Sequence, residues 1–140
     1  MHPSPAGYTI APVFGAVGEA VRRDVAAFWL QNAAIPDPAE ARRRTDELIC
    51  VARNDAGEVV AVNTAYAADL RAPAGRYYLF RMFQRPADRH LRLARAMMRA
   101  AIDTLRERRA ASVRGIALVT ENRKLMRESG RRLIASFGWR

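Results

Sequence analysis

The chain is poor in cysteine, histidine, lysine and long apolar runs, and each shortage excludes something. Cys50 is the only cysteine, so no internal disulfide and no cysteine metal cluster is expected, and a reducing cytoplasm fits. The two histidines, His2 and His90, stand too far apart in sequence to suggest a metal site, and no metal is expected. No run of about 18 apolar residues occurs, so neither a membrane span nor a membrane partner is expected. The opening "MHPSPAGYTI" lacks a basic segment followed by an apolar stretch, which argues against a signal peptide. Of 24 basic residues only Lys124 is a lysine. So one-sided a choice reads as the codon bias of a GC-rich genome, which lowers the weight of any single arginine.

What is present is positive charge and enough apolar material for a core. The formal charge of +10 implies acidic partners such as phosphates, nucleic acid or anionic surfaces. At 140 residues and 50% hydrophobic, the chain predicts one domain over residues 1–140, with 1–7 a flexible tail.

Along the chain, Tyr8–Val13 alternates as a strand does. From Gly15, Val17, Val21, Val25, Phe28 and Trp29 recur at helical spacing, and Pro36 and Pro38 stop that helix. "PAEARRRTDEL" predicts a second, short polar helix that Asp37 can cap. Leu48–Asn54 predicts a strand, "NDAGE" a hairpin turn, and Glu58–Leu70 the return strand, with "RAPAG" a loop. Arg76–Gln84 is an aromatic strand ended by Pro86. A long amphipathic helix is predicted from about Ala87 to Arg109, with Leu91, Ala94, Met98, Ala101, Ile102 and Leu105 buried. Arg92, Arg95, Arg99, Asp103 and Arg106 lie opposite. Val113–Glu121 contains the continuous apolar run "IALV", which suits a strand covered on both faces, so a βαβ unit is expected. The stretch from Asn122 reads as a last helix, interrupted at Gly130 and stopped near Gly138.

"RPADRHLRLARAM" (Arg85–Met97) puts four arginines and a histidine at the mouth of the long helix. Helix openings favour acids, because their first N–H groups are unpaired and carry a partial positive charge. Such a mouth is suited to an anion. It also reads as the arginine-rich first turn of a surface helix.

The order of elements resembles the GNAT-type N-acetyltransferases. The family's motif places a strand shortly before a proline, then Arg/Gln-x-x-Gly-x-Gly/Ala opening the long helix. Here the frame is Gln84-Arg85-Pro86 followed by Arg89-His90-Leu91-Arg92-Leu93-Ala94, with Arg92 where glycine is usual. Asn122 matches an asparagine after the next strand, and Gly138-Trp139 a late glycine–aromatic pair. The resemblance implies a mixed α/β fold with a GNAT-like central sheet of five to six strands flanked by about four helices.

It also implies a function: acyl transfer from acetyl-CoA, or another acyl-CoA, to a small-molecule or peptide amine. The coenzyme's pyrophosphate would sit at the helix start, held by backbone N–H groups and by Arg89, His90, Leu91, Arg92, Leu93 and Ala94. The backbone of Met82, Phe83 and Gln84 would pair with the pantetheine amides, and Asn122 would add a contact. His90 reads equally as a surface residue, Asn122 as a helix cap, and Cys50 as core. Many members carry a tyrosine acid where this chain has Ile134. Tyr78, beside Tyr66 and Tyr77, is a candidate substitute for that acid and Glu121 a candidate base, and each has an ordinary packing or solvated role. The family pattern continues with two more strands, so either the fold closes with fewer strands or a partner subunit completes the sheet edge, and a homodimer through a sheet edge or the C-terminus is the expectation. Two alternatives from other classes are a catalytically silent GNAT-like binding module and a basic protein that binds nucleic acid through Arg92, Arg95, Arg99 and Arg106. A bacterial, cytoplasmic protein is expected.

Overall fold

Glycine and proline set the element boundaries in the first third of the chain. The structure, a computed structural model, describes residues 4–71, 74–119 and 134–138. Strand β1 spans Tyr8–Pro12. Helix α1 starts only at Glu19, not near Gly15, because Gly15 takes φ +77 and Gly18 caps the helix in an extended conformation. Glu19 then sits in the first turn, where the helix dipole favours an acid. Helix α1 ends at Gln31 and buries Val25, Phe28 and Trp29. Helix α2, Pro38–Arg44, opens with the Asp37 side chain accepting the Glu40 N–H at 3.1 Å. A tight turn over Thr45–Glu47 leads into β2, Leu48–Asn54, as predicted. Strands β3 (Val59–Arg71), β4 (Ala74–Gln84), β5 (Gly115–Val119) and β6 (Ile134–Gly138) follow, with helix α3 (Leu91–Arg108) between β4 and β5.

The hydrogen-bonded strand order is β1-β2-β3-β4-β5-β6. The pairs β1–β2, β2–β3 and β5–β6 are antiparallel, and β4–β5 is parallel with Tyr77 opposite Gly115. This is the mixed α/β class expected, with three α-helices among the described residues. Three further expectations are corrected. The long helix begins at Leu91 rather than Ala87, because Pro86–Asp88 form a separate 3-10 turn. Its buried stripe is Leu93, Met97, Ala100, Ala101, Thr104 and Leu105, while Leu91 is 63% exposed and Ala94, Met98 and Ile102 are half-buried. Ile134–Gly138 is a strand paired with β5, not the end of a helix. Residues 120–133 lie outside the described residues, and with them Glu121 and Asn122.

The chain divides into two compact units. One comprises the chain up to Thr64 together with Met82–Arg108. Its core packs Val25, Phe28, Trp29, Ile35, Leu48, Val51 and Val62 in one cluster, with Phe83 against it. From the same two strands Cys50 and Asn63 reach α3 instead: the Cys50 thiol lies 3.8 Å from the Thr104 hydroxyl, and the Asn63 amide donates to the Met97 carbonyl at 3.0 Å. Strands β2 and β3 are therefore covered on both faces, which is why they read as nearly continuous apolar runs. The second unit comprises Ala65–Arg81 and the chain from Arg109. There β4 pairs with β5 from Tyr77 to Phe80, and Arg81 lies over the Tyr66 ring.

Candidate functional site

Pro86 cannot donate a strand hydrogen bond, and the chain turns there. The Arg85 N–H still reaches Val60 O at 2.9 Å, after which Pro86–Asp88 tighten into a 3-10 turn and Arg89 and His90 lead into α3. Two side chains hold the turn against the end of β4. The Gln84 amide donates to Asp88 O at 3.1 Å and to His90 O at 3.4 Å, and Arg89 Nε returns to Gln84 O at 2.9 Å. The Arg89 guanidinium stacks over Phe83, whose ring also meets Phe28 edge-on.

The arginine-rich mouth is not bare positive charge. Asp88, only 7% exposed, accepts hydrogen bonds from the Tyr8 hydroxyl at 2.6 Å and from Arg85 Nε. Burial alone would raise the Asp88 carboxyl, but the Tyr8 and Arg85 hydrogen bonds and the Arg85 charge together hold it below its ordinary range. The Tyr8 hydroxyl is in turn pushed up, chiefly by its bond to Asp88. Tyr8 and His90 pack ring to ring, with Oη 3.0 Å from Nε2, and His90 Nδ1 accepts the Leu93 N–H at 3.3 Å. His90 is thus the side-chain cap of α3.

The Leu93 N–H is spent on His90 Nδ1 and the Ala94 N–H on His90 O at 3.2 Å. The N–H groups of Leu91 and Arg92 have no partner among the described residues. Arg89, Arg92 and Arg95 are exposed around this end. Two open donors, a helix dipole and three exposed arginines at one helix start make up chemistry that suits a diphosphate, and the neighbouring carboxylate is already paired with Arg85. The residues present fit the diphosphate of a CoA.

Of the residues singled out in sequence, Met82, Phe83, Gln84 and Arg89 to Ala94 come together in the first unit. The Leu93 side chain is fully buried and offers nothing outward. Tyr78 belongs to the second unit, buried, its hydroxyl oxygen accepting the Ala110 N–H at 3.1 Å. Sequence reasoning missed Tyr8, Arg85 and Asp88. The acid inside the arginine stretch was a usable signal, whereas nothing local connects it to Tyr8. Among the described residues no group of three or more His, Cys, Asp or Glu side chains is placed to hold a metal, and no helix is long and apolar enough to cross a membrane.

The model of the acetyltransferase (GNAT) family matches residues 18–128, and the chain belongs to that family. Solved structures of similar fold include a GNAT family acetyltransferase from Brucella melitensis in complex with acetyl-CoA. It is 16% identical, with TM-score 0.60, 94% of this chain and 88% of that one covered. The GNAT family N-acetyltransferase YhbS from Escherichia coli, in complex with CoA, is 18% identical, with TM-score 0.59 and coverage of 91% and 71%. A ribosomal-protein-alanine N-acetyltransferase from Brucella melitensis biovar Abortus is 19% identical, with TM-score 0.55 and coverage of 86% and 88%. A comparison with curated protein sequences finds no match.

Proposed function

We propose that the chain is an acyl-CoA-dependent N-acyltransferase that passes an acetyl group from acetyl-CoA to the amine of a small molecule or peptide. The observation that carries this reading is the pair of open N–H groups of Leu91 and Arg92 at a helix start flanked by Arg89, Arg92 and Arg95. Solved relatives in complex with CoA and acetyl-CoA support assigning the diphosphate to that helix start. Beyond Phe80, β4 has no partner on its β5 side among the described residues. The backbone of Met82–Gln84 is therefore the segment assigned to the pantetheine amides, with Asn122 as a further contact. Catalysis is then mostly positioning: a deprotonated amine attacks the thioester carbonyl, the C–S bond breaks, and the thiolate takes up a proton. The attacking nitrogen gives up a proton as the amide forms, with Glu121 the candidate base to take it, and Tyr78 stays the candidate for protonating the thiolate.

Thermal unfolding with acetyl-CoA at low and moderate salt tests this. Ligand at about 100 times its dissociation constant stabilises the fold by about 2.7 kcal/mol. A rise that survives moderate salt supports the site, and none at millimolar acetyl-CoA overturns it. Turnover with amine acceptors then separates an enzyme from a silent binding module.

Arg92, Arg95 and Arg99 are exposed and have no ion-pair partner among the described residues, which favours a second reading. In it the stripe binds nucleic acid without sequence preference, and affinity falls steeply with salt. A homodimer through a sheet edge, of which β1 and β6 form the two ends, is tested by light scattering.

A further inference from the structure

Tyr8 stands outside the stretch that the family model matches, residues 18–128, yet it touches the candidate site directly. Its hydroxyl carries one hydrogen, and Asp88 Oδ1 at 2.6 Å receives it. Toward His90 Nε2, at 3.0 Å, the same oxygen must then accept, so the proton of the imidazole is on Nε2. Nδ1 is left bare, and that is the atom which accepts the Leu93 N–H. The assignments are mutually consistent and admit one direction: Leu93 N–H to imidazole, imidazole to tyrosine, tyrosine to carboxylate. Arg85 closes the chain by donating to the other Asp88 oxygen.

We propose that Tyr8 is a positioning residue of the coenzyme site: with Asp88 it holds the His90 imidazole in the one tautomer and orientation that cap α3, and so keeps the Leu91 and Arg92 N–H groups turned toward the diphosphate. This rests on the coenzyme reading above. Without the Tyr8 hydroxyl the imidazole is free to rotate or to carry its proton on Nδ1. Leu93 then loses its cap and the first turn of α3 frays. An exposed histidine is a poor cap unless something fixes it. Tyr8 and the buried Asp88 supply that from β1 and from the turn.

The experiment is a double-mutant cycle read by calorimetric titration with CoA, together with nitrogen NMR of the imidazole. Tyr8→Phe keeps the ring and removes both hydrogen bonds. It is expected to weaken CoA binding by roughly threefold to tenfold, the range of one or two modest hydrogen bonds. The His90 signals are expected to pass from a bare Nδ1 to a mixture of tautomers. His90→Asn supplies a cap that needs no tyrosine. In that background Tyr8→Phe is expected to change nothing further. Equal losses in both backgrounds, native-like CoA binding by Tyr8→Phe, or Nδ1 protonated in the native protein each overturn the proposal. Should Tyr8→Phe not fold alone, comparing His90→Asn with the double variant decides in the same way. A native protein that binds no CoA ends the coenzyme reading and this inference together. Native binding with an indifferent Tyr8→Phe ends the inference alone.

Discussion

The Tyr8 hydroxyl donates to Asp88 at 2.6 Å across a sequence separation of 80. This bond joins β1 to the turn ahead of α3 and places a carboxylate under an otherwise cationic helix mouth. Asp88 titrates below its ordinary 3.8 in the fold. A depressed acid stabilises the folded state above its unfolded value, and that stability is lost as pH falls through the folded one. Tyr8, raised above 10.0, contributes in the opposite sense, up to alkaline pH and not beyond. Urea unfolding between pH 2 and 7 is therefore expected to show an acid loss that Asp88→Asn flattens. The variant should be about 1–3 kcal/mol less stable at neutral pH, the usual range for a charged hydrogen bond with one partner weakened. An unchanged acid limb counts against Asp88 as its source.

Asn63 is fully buried where β2 and β3 slip register between Leu48 and Cys50. Its side-chain oxygen accepts the Cys50 N–H at 2.9 Å, and its amide donates to Met97 O in the middle of α3. One side chain thus replaces a missing ladder bond and fixes helix to sheet. Asn63→Leu leaves the Cys50 N–H buried without an acceptor. Equilibrium unfolding is expected to show a loss of about 1–3 kcal/mol, the cost of an unsatisfied buried donor. A neutral result means that the bulge relaxes to re-pair that N–H.

Cys50 packs between strand and helix at 0% exposure, and burial pushes its thiol up to about 11. The thiolate is the reactive form, so the native protein should resist thiol reagents at pH 8 and react promptly once unfolded in urea. Fast labelling of the native fold would show that β2 opens around Cys50.

The strand Leu48–Asn54 was legible to the residue, because apolar residues run unbroken from Leu48 to Ala52 between a polar helix and a Gly-containing turn. The stripe of α3 was not. "LRLARAMMRAAIDTL" carries apolar residues in two adjacent helical registers, and periodicity alone chose the one led by Leu91. The fold chose the register led by Leu93, which puts Thr104 inside. Its hydroxyl is satisfied by the Ala100 carbonyl at 2.7 Å, so a polar residue marks the buried face and misleads a hydrophobicity count. The start of α3 moved for a related reason. Pro86 is a common first helical residue, but here it opens a 3-10 turn that His90 must end before the helix begins. The short run "IASFG" fits helix or strand equally by period, and pairing with β5 settled it. Of the candidate site, the arginines and His90 were singled out from a local motif. Tyr8 was not, since only the fold brings β1 to that turn.

Gly57 turns the β2–β3 hairpin at φ +82, with its N–H donating to Asn54 O at 3.0 Å. The Asn54 side chain accepts from Ala56 and Glu58 and sets the turn. A Cβ there meets open space, so Gly57→Ala tests the backbone conformation alone. A loss of about 1–2 kcal/mol in urea unfolding is expected from the left-handed conformation. A smaller loss would mean that the turn has changed type.

Arg92 is the sharpest departure from the family motif, since it occupies a position where glycine is usual. Glycine at a helix start lets the backbone approach a phosphate closely, whereas an arginine must either obstruct the approach or grip the ligand. Arg92 is exposed, its N–H is open, and no carboxylate engages its guanidinium among the described residues. The side chain is therefore free to turn outward, and in the coenzyme reading proposed above it bonds a phosphate oxygen, compensating in charge for what is lost in closeness. Under this reading Arg92→Glu weakens acetyl-CoA binding by at least tenfold, about 1.4 kcal/mol. Arg92→Gly weakens it less, because the regained approach offsets part of the lost charge. Titration calorimetry at two salt concentrations decides. Tighter binding by Arg92→Gly than by the native protein would show that the arginine guards the site rather than serves it, and would favour the silent binding module over the enzyme.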